Sequence, residues 1–198
     1  NSCSDLDFDG VNDYITFKDN YDLTGDFSLE VWVKPESVSG NQTLFSKRDA
    51  NDFSTGYDLS LNGNKVVFNW NSSGTIESKY PINTNRWYHI SVTYGGSVYS
   101  LYIDGIEVTD NPVNGVLPTS NSLECILGAM DQVNNPPNKP VHYYSGWMDE
   151  LRIWNKTLNT EQIRQMMNQE IKLNGSDAVI GEIVPIEVHG LLWSDLFG

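Results

Sequence analysis

Apolar and polar positions alternate in short runs along most of this chain. In the stretch 26–35, Phe27, Leu29, Val31 and Val33 share one side, and Glu30 and Trp32 lie on the other. A period of two predicts a half-buried strand, and Pro35 ends it because proline has no N–H to give a ladder. Shorter strand-like runs are predicted at 6–10, 13–17, 43–47, 56–61, 65–70, 87–94, 98–104 and 123–127. Between them stand Asn62-Gly63-Asn64, Gly95-Gly96 and Asp104-Gly105, residues that accept the positive backbone angles of tight hairpins. The stretch 143–155 is a further strand, with Leu151 and Ile153 on one face and Glu150, Arg152 and Trp154 on the other. It comes after the other strands, so it must close a sheet already built.

Only one stretch has a convincing helical pattern. Asn159 can cap it and Gln162 can complete a capping box, with Leu158 and Ile163 at the positions of a hydrophobic staple. Ile163, Met166 and Met167 give it a small apolar face for packing on the strands. The expected fold is therefore all-β, a two-sheet antiparallel sandwich with one short C-terminal helix. The lack of helices between the strands excludes a doubly wound parallel sheet. The domain is expected to span 1–171. The tail at 172–198 turns apolar again, in two runs broken by Gly181 and Pro185, and either adds strands or connects to a following domain. Two loops, 48–55 and 129–142, exceed ordinary hairpin length, and long loops on a rigid scaffold are where binding residues concentrate.

Charge narrows the partners. Asp and Glu number 26 against 12 Lys and Arg, a formal charge of −14, which argues against nucleic acid and anionic membrane surfaces and suits cations. No apolar run is long enough for membrane insertion. A chain of 198 residues buries enough surface to fold without a disulfide framework. Cys3 and Cys125 either form one disulfide or stay free thiols; two cysteines and scattered histidines do not make a zinc site. The chain begins without Met and reads as a piece of a longer protein.

Several blocks, in order, resemble the laminin G-like, concanavalin A-type jelly rolls of bacterial surface proteins. They are Leu6-Asp7-Phe8-Asp9-Gly10, Phe27 through Pro35, Trp87 through Tyr94, Leu101-Tyr102-Ile103-Asp104-Gly105, Ile126-Leu127-Gly128 and Ser145 through Asn155. The resemblance implies a jelly-roll sandwich, calcium as the cofactor, and recognition of a glycan or a surface protein, as in adhesion. It also implies a longer secreted or cell-surface protein with neighbouring domains.

Four readings of the chemistry follow. By the resemblance, a structural calcium would tie Asp9 and Asp149 together with a carbonyl near Gly25, calcium taking six to eight oxygens. A second calcium, at a rim like that of pentraxins, would use Asp49, Asn51 and Asp52 from one long loop and Asp131 and Gln132 from the other. From the residues themselves, Tyr57, Trp70, Tyr143, Tyr144 and Trp147 offer flat faces for stacking on sugar rings. Catalysis lacks its residues. The paired carboxylates of laminarinase-type relatives, Glu-x-Asp-x-x-Glu, are absent. Met148-Asp149-Glu150-Leu151-Arg152 has Met148 where alginate lyases of this fold carry arginine. The expected function is a non-catalytic calcium-binding recognition module, with a polysaccharide-active enzyme or a structural spacer as alternatives.

Overall fold

The computed structural model describes residues 5–109, 113–133, 140–167 and 187–189. The strands are β1 (Leu6–Asp9), β2 (Tyr14–Thr16), β3 (Phe27–Pro35), β4 (Asn41–Asp49), β5 (Asp52–Asn62), β6 (Lys65–Trp70) and β7 (Gly74–Glu77). They continue with β8 (Tyr88–Gly95), β9 (Val98–Ile103), β10 (Ile106–Glu107), β11 (Val113–Asn114), β12 (Ile126–Leu127), β13 (Ser145–Trp154) and β14 (Glu187–His189). The helix α1 (Thr160–Met167) follows β13.

The strands form two antiparallel sheets. One runs β1-β13-β3-β8-β9-β10, with β11 also paired to β9; the other runs β14-β2-β12-β4-β5-β6-β7. The sheets face each other across one apolar core. Leu29, Val31, Val33 and Ile90 from the first meet Phe45, Leu59 and Phe68 from the second. This is the predicted jelly-roll sandwich. The turn dipeptides act as expected, with Gly63, Gly96, Asp104 and Gly105 all at positive φ. Strand β13 closes the first sheet by inserting between β1 and β3. Its register slips between Asp149 and Arg152, where Glu150 takes a φ of 50°, so the simple alternation breaks there into a bulge.

The helix is capped as the sequence predicts. The Asn159 N–H donates to Gln162 Oε1 (3.0 Å), and the Gln162 N–H donates to Asn159 Oδ1 (2.9 Å). Leu158 and Ile163 pack together against Tyr102, which points away from the core of the first sheet. The helix therefore covers part of that sheet's outer face and leaves the second sheet's outer face free of it.

One expectation changes here. The stretch 48–55 is a hairpin tip rather than a long loop, because β4 and β5 extend until Asp49 pairs with Asp52. Within the tail, Glu187–His189 adds a strand beside β2; the rest of 172–198 lies outside the described residues. Cys125 is a free buried thiol whose Sγ–H donates to the Asn20 carbonyl, and burial pushes its pKa up to about 12. Cys3 lies outside the described residues.

Candidate functional site: a groove on the second sheet

Side chains of β4, β5 and β6 that point away from the core build the site. Alternation sends Tyr57, Leu59 and Leu61 inward, so Asp58 and Ser60 face out beside Asn69 of β6. The groove they floor has a volume of about 210 Å3 and is also lined by Phe53, Met130 and His142. Phe53 stands on a bulge where four residues, 53–56, oppose the single residue Arg48. Gly56 makes that bulge, at φ +76°, because a side chain there would collide with the Lys47 carbonyl. Phe53 is 46% exposed, and the guanidinium of Arg48 lies over its ring, 4.5 Å from the centroid.

Beneath the groove the charges cancel. Arg48 Nη1 donates to Asp58 Oδ1 (2.9 Å), and Nη2 donates to the carbonyls of Phe53 (3.2 Å) and Asn71 (2.5 Å). Asp58 Oδ2 accepts from Ser60 Oγ (2.7 Å) and Asn69 Nδ2 (2.9 Å). Both members of this ion pair are buried, so each needs the other: removing one strands a charge at a cost of about 3–5 kcal/mol. The pair makes a rigid polar floor.

The rim lies beside the groove. Asp49 and Asp131 are bridged in parallel, and the Ala50 N–H donates to the Asp131 carbonyl (2.8 Å). Asn51 Nδ2 donates to the Val133 carbonyl (3.0 Å), and Gln132 Nε2 donates to Asn51 Oδ1 (3.3 Å). Asp49 Oδ1 accepts the N–H groups of Asn51 and Val133. Four of the five predicted rim residues therefore meet. Asp52 sits opposite Asp49 in the hairpin but makes none of these bonds; its carboxylate is turned to Ser54, whose side chain first and N–H second hold its pKa below the ordinary value. Burial raises the Asp131 carboxyl, and the charges of Asp49 and Glu124 push it the same way. This is excess negative charge with hard oxygen donors, a set that suits calcium. Among the described residues no group of three or more His, Cys, Asp or Glu stands as a metal cluster, so the rim supplies two carboxylates and otherwise amide and carbonyl oxygens.

The structure does not bring together the three residues expected to hold a structural calcium. Asp9 pairs with Ser145, four residues from Asp149 along β13, a separation of about 13 Å. Asp149 pairs with Trp32, five residues and about 17 Å along β3 from Phe27, and Gly25 lies before that end of the strand. Ligands of one ion must all lie within about 2.6 Å of it, so these three cannot share one. Asp9 caps its own turn, accepting the N–H groups of Val11 and Asn12. Asp149 is raised by burial and by the neighbouring charges of Asp5 and Glu150.

The aromatic readings divide. Tyr57, Trp70 and Tyr144 are core residues with no face to offer a sugar. Tyr57 and Trp70 pair across β5 and β6 on the inward side, and Tyr144 packs edge-on against Phe8 at 6.1 Å. Tyr143 is half-buried against Tyr14, 6.3 Å away. Trp147 is also half-buried, but on the outer face of the first sheet, where Nε1 donates to Glu36 Oε1 (3.3 Å). The exposed aromatic of the groove is Phe53, which the sequence reading did not single out. Its signal was the sequence Asp52-Phe53-Ser54 in a stretch otherwise polar.

Comparison with known proteins places this arrangement. A sequence profile described as the concanavalin A-like lectin/glucanases superfamily, of the laminin G type, matches residues 9–164. Laminin subunit alpha-1 of Mus musculus is 28% identical over 125 residues, 56% of this chain; the chain spans 4% of that protein's length. Among solved structures, a native heptameric SAP-like pentraxin from Limulus polyphemus superposes with a TM-score of 0.65 at 14% identity, covering 96% of each chain. The CBM40 of Ruminococcus gnavus IT-sialidase, bound to α2,3-sialyllactose, superposes with a TM-score of 0.61 at 9% identity, covering 84% of this chain and 99% of that one. At these identities the structures speak for the fold. The profile covers well over half of the sequence, and the chain belongs to the concanavalin A-like lectin/glucanases superfamily as a laminin G-like domain.

Proposed function

We propose that this domain is a non-catalytic recognition module that binds glycans in the groove between Phe53 and His142. The carrying observation is the exposed Phe53 ring set over a floor of fixed amides and hydroxyls, since sugar recognition needs an aromatic face with polar groups beside it. Membership of a lectin and glucanase superfamily supports the glycan, and the sialyllactose-bound relative by fold supports it further. The groove speaks against hydrolysis. Asp58, the carboxylate in its lining, is committed to Arg48, and glycoside cleavage uses two free carboxyls flanking the bond. Calcium would sit at the rim, held by Asp49 and Asp131 with oxygens of Asn51 and Gln132, where it would neutralise their charge and offer a site to sugar hydroxyls. In this reading the domain serves adhesion, on glycan or on a partner surface, within a longer secreted or cell-surface protein.

The test is retention on immobilised polysaccharides with and without calcium, alongside an assay for new reducing or unsaturated ends. Wild-type protein is expected to be retained, and Phe53→Ala to bind about three- to tenfold more weakly, the loss of one aromatic contact. Release of chain ends would overturn the non-catalytic reading, and silence on all polysaccharides would favour a spacer.

A further inference from the structure

The charges around the groove also restrict which sugars it takes. This rests on the glycan reading and narrows it. The basic side chains among the described residues lining the groove are Arg48 and His142. Arg48 is turned into the protein, its side chain 6% exposed. Nη1 is spent on Asp58, Nη2 on two carbonyls, and Nε is buried out of reach. The adjacent cation, Lys47, points the other way and bonds Asp19 and the Leu123 carbonyl, with Asp22 3.7 Å off. Asp58 is equally used up, by Arg48, Ser60 and Asn69. What remains on the floor is uncharged: the hydroxyls of Thr43 and Ser60 and the amides of Asn41, Asn62 and Asn69.

The immediate surroundings are acidic. Three lining residues each have a carboxylate as chain neighbour: Arg48 precedes Asp49, Phe53 follows Asp52, and Met130 precedes Asp131. Those neighbours lie within the roughly 10 Å over which charge is felt at 0.1 M salt. A sugar carboxylate or sulfate in the groove would lose water, meet the exposed His142 as the one basic lining side chain not turned into the protein among the described residues, and face these acids in a chain of net charge −14. We infer that the groove selects neutral oligosaccharides and rejects acidic ones, with Phe53 as the stacking wall and the amides and hydroxyls as the hydrogen-bonding floor.

The experiment measures binding of neutral trisaccharides (arabinotriose, cellotriose, galactotriose) against trigalacturonate and α2,3-sialyllactose. It is run with chelator, so that no bound cation bridges an acid to the rim, at pH 8 and at low and high salt. At least one neutral sugar is expected to bind, the acidic ones at least tenfold more weakly, with the gap narrowing at 1 M salt. Phe53→Ala is expected to lower the neutral binding. Acidic sugars binding as tightly as neutral ones, or neutral binding untouched by Phe53→Ala, would overturn the inference and leave glycan binding standing. Failure of every saccharide in chelator with retention restored by calcium would overturn the inference and leave glycan binding standing; failure both in chelator and with calcium would overturn both.

Discussion

Phe53 and Tyr57 lie four residues apart in β5, and one faces solvent while the other is in the core. Tyr57 was readable from the sequence: it has the parity of Leu59 and Leu61, as Trp70 has that of Val66 and Phe68, and parity on a strand decides the face. Assigning both rings to a binding surface set that alternation aside. Phe53 shares the same parity and was not readable, because the intervening bulge turns it outward. His89 was equally hidden. It lies on the outer face of the first sheet, fully buried, with Nε2 3.6 Å from Glu30 Oε1 and its ring 5.2 Å from Trp32. Burial, and secondarily the charge of Arg152, lowers its pKa to about 4. The unfolded imidazole takes up its proton near pH 6.5. Between these values the unfolded chain binds more protons than the folded one, so stability falls as pH drops from about 6.5 to 4. Over that window His89 is expected to contribute a loss of about 3 kcal/mol. Burial raises Glu30, and its contribution has the opposite sign, weakening the fold as pH rises above the ordinary carboxyl range. Denaturant melts of wild type and His89→Gln across pH 4–7 check this: the variant is expected to show a shallower acid slope, and equal slopes would exclude His89 as the cause.

The hairpin of β4 and β5 shows why the groove was harder to foresee than the strands. Each strand was announced by its apolar period, but the groove depends on a register slip that no period encodes. Gly56 was visible as a residue and could have marked a bulge; its close approach to the Lys47 carbonyl could not be known before the strands were paired. Gly56→Ala is expected to cost more than about 2 kcal/mol, combining a strained positive φ with a backbone collision. It should also remove glycan binding by displacing Phe53, measured as a fallen melting temperature together with lost retention. A variant that melts like wild type and binds normally would show that the bulge tolerates a side chain. The helix was the reverse case. Asn159, Gln162, Leu158 and Ile163 are a local code, read within one turn, and all four do what the spacing predicts.

Across the whole molecule, the two-sheet sandwich was readable because alternation and turn dipeptides are local signals. The metal assignments were not, because an ion needs ligands from distant segments and depends on register. Register separates Asp9, Gly25 and Asp149 but joins Asp49 with Asp131. A calcium titration followed by melting tests the rim. At a hundredfold excess over Kd a single bound ion adds about 2.7 kcal/mol, several degrees in a domain of this size. Asp49→Asn with Asp131→Asn is expected to abolish that shift, whereas Asp9→Asn should leave it intact. No calcium-induced shift in the wild type would remove the rim ion. The place of β13 has one more consequence. The first sheet holds β1 beside β13 and β13 beside β3, so its earliest strand has no neighbour in that sheet until residues 145–154 have been made. A nascent chain must carry two unfilled strand edges for most of its synthesis, and folding is then dominated by contacts distant in sequence. Such topologies close in milliseconds to seconds and are prone to pair with the wrong strand while they wait. The bond that completes the sandwich is therefore among the last the chain can form.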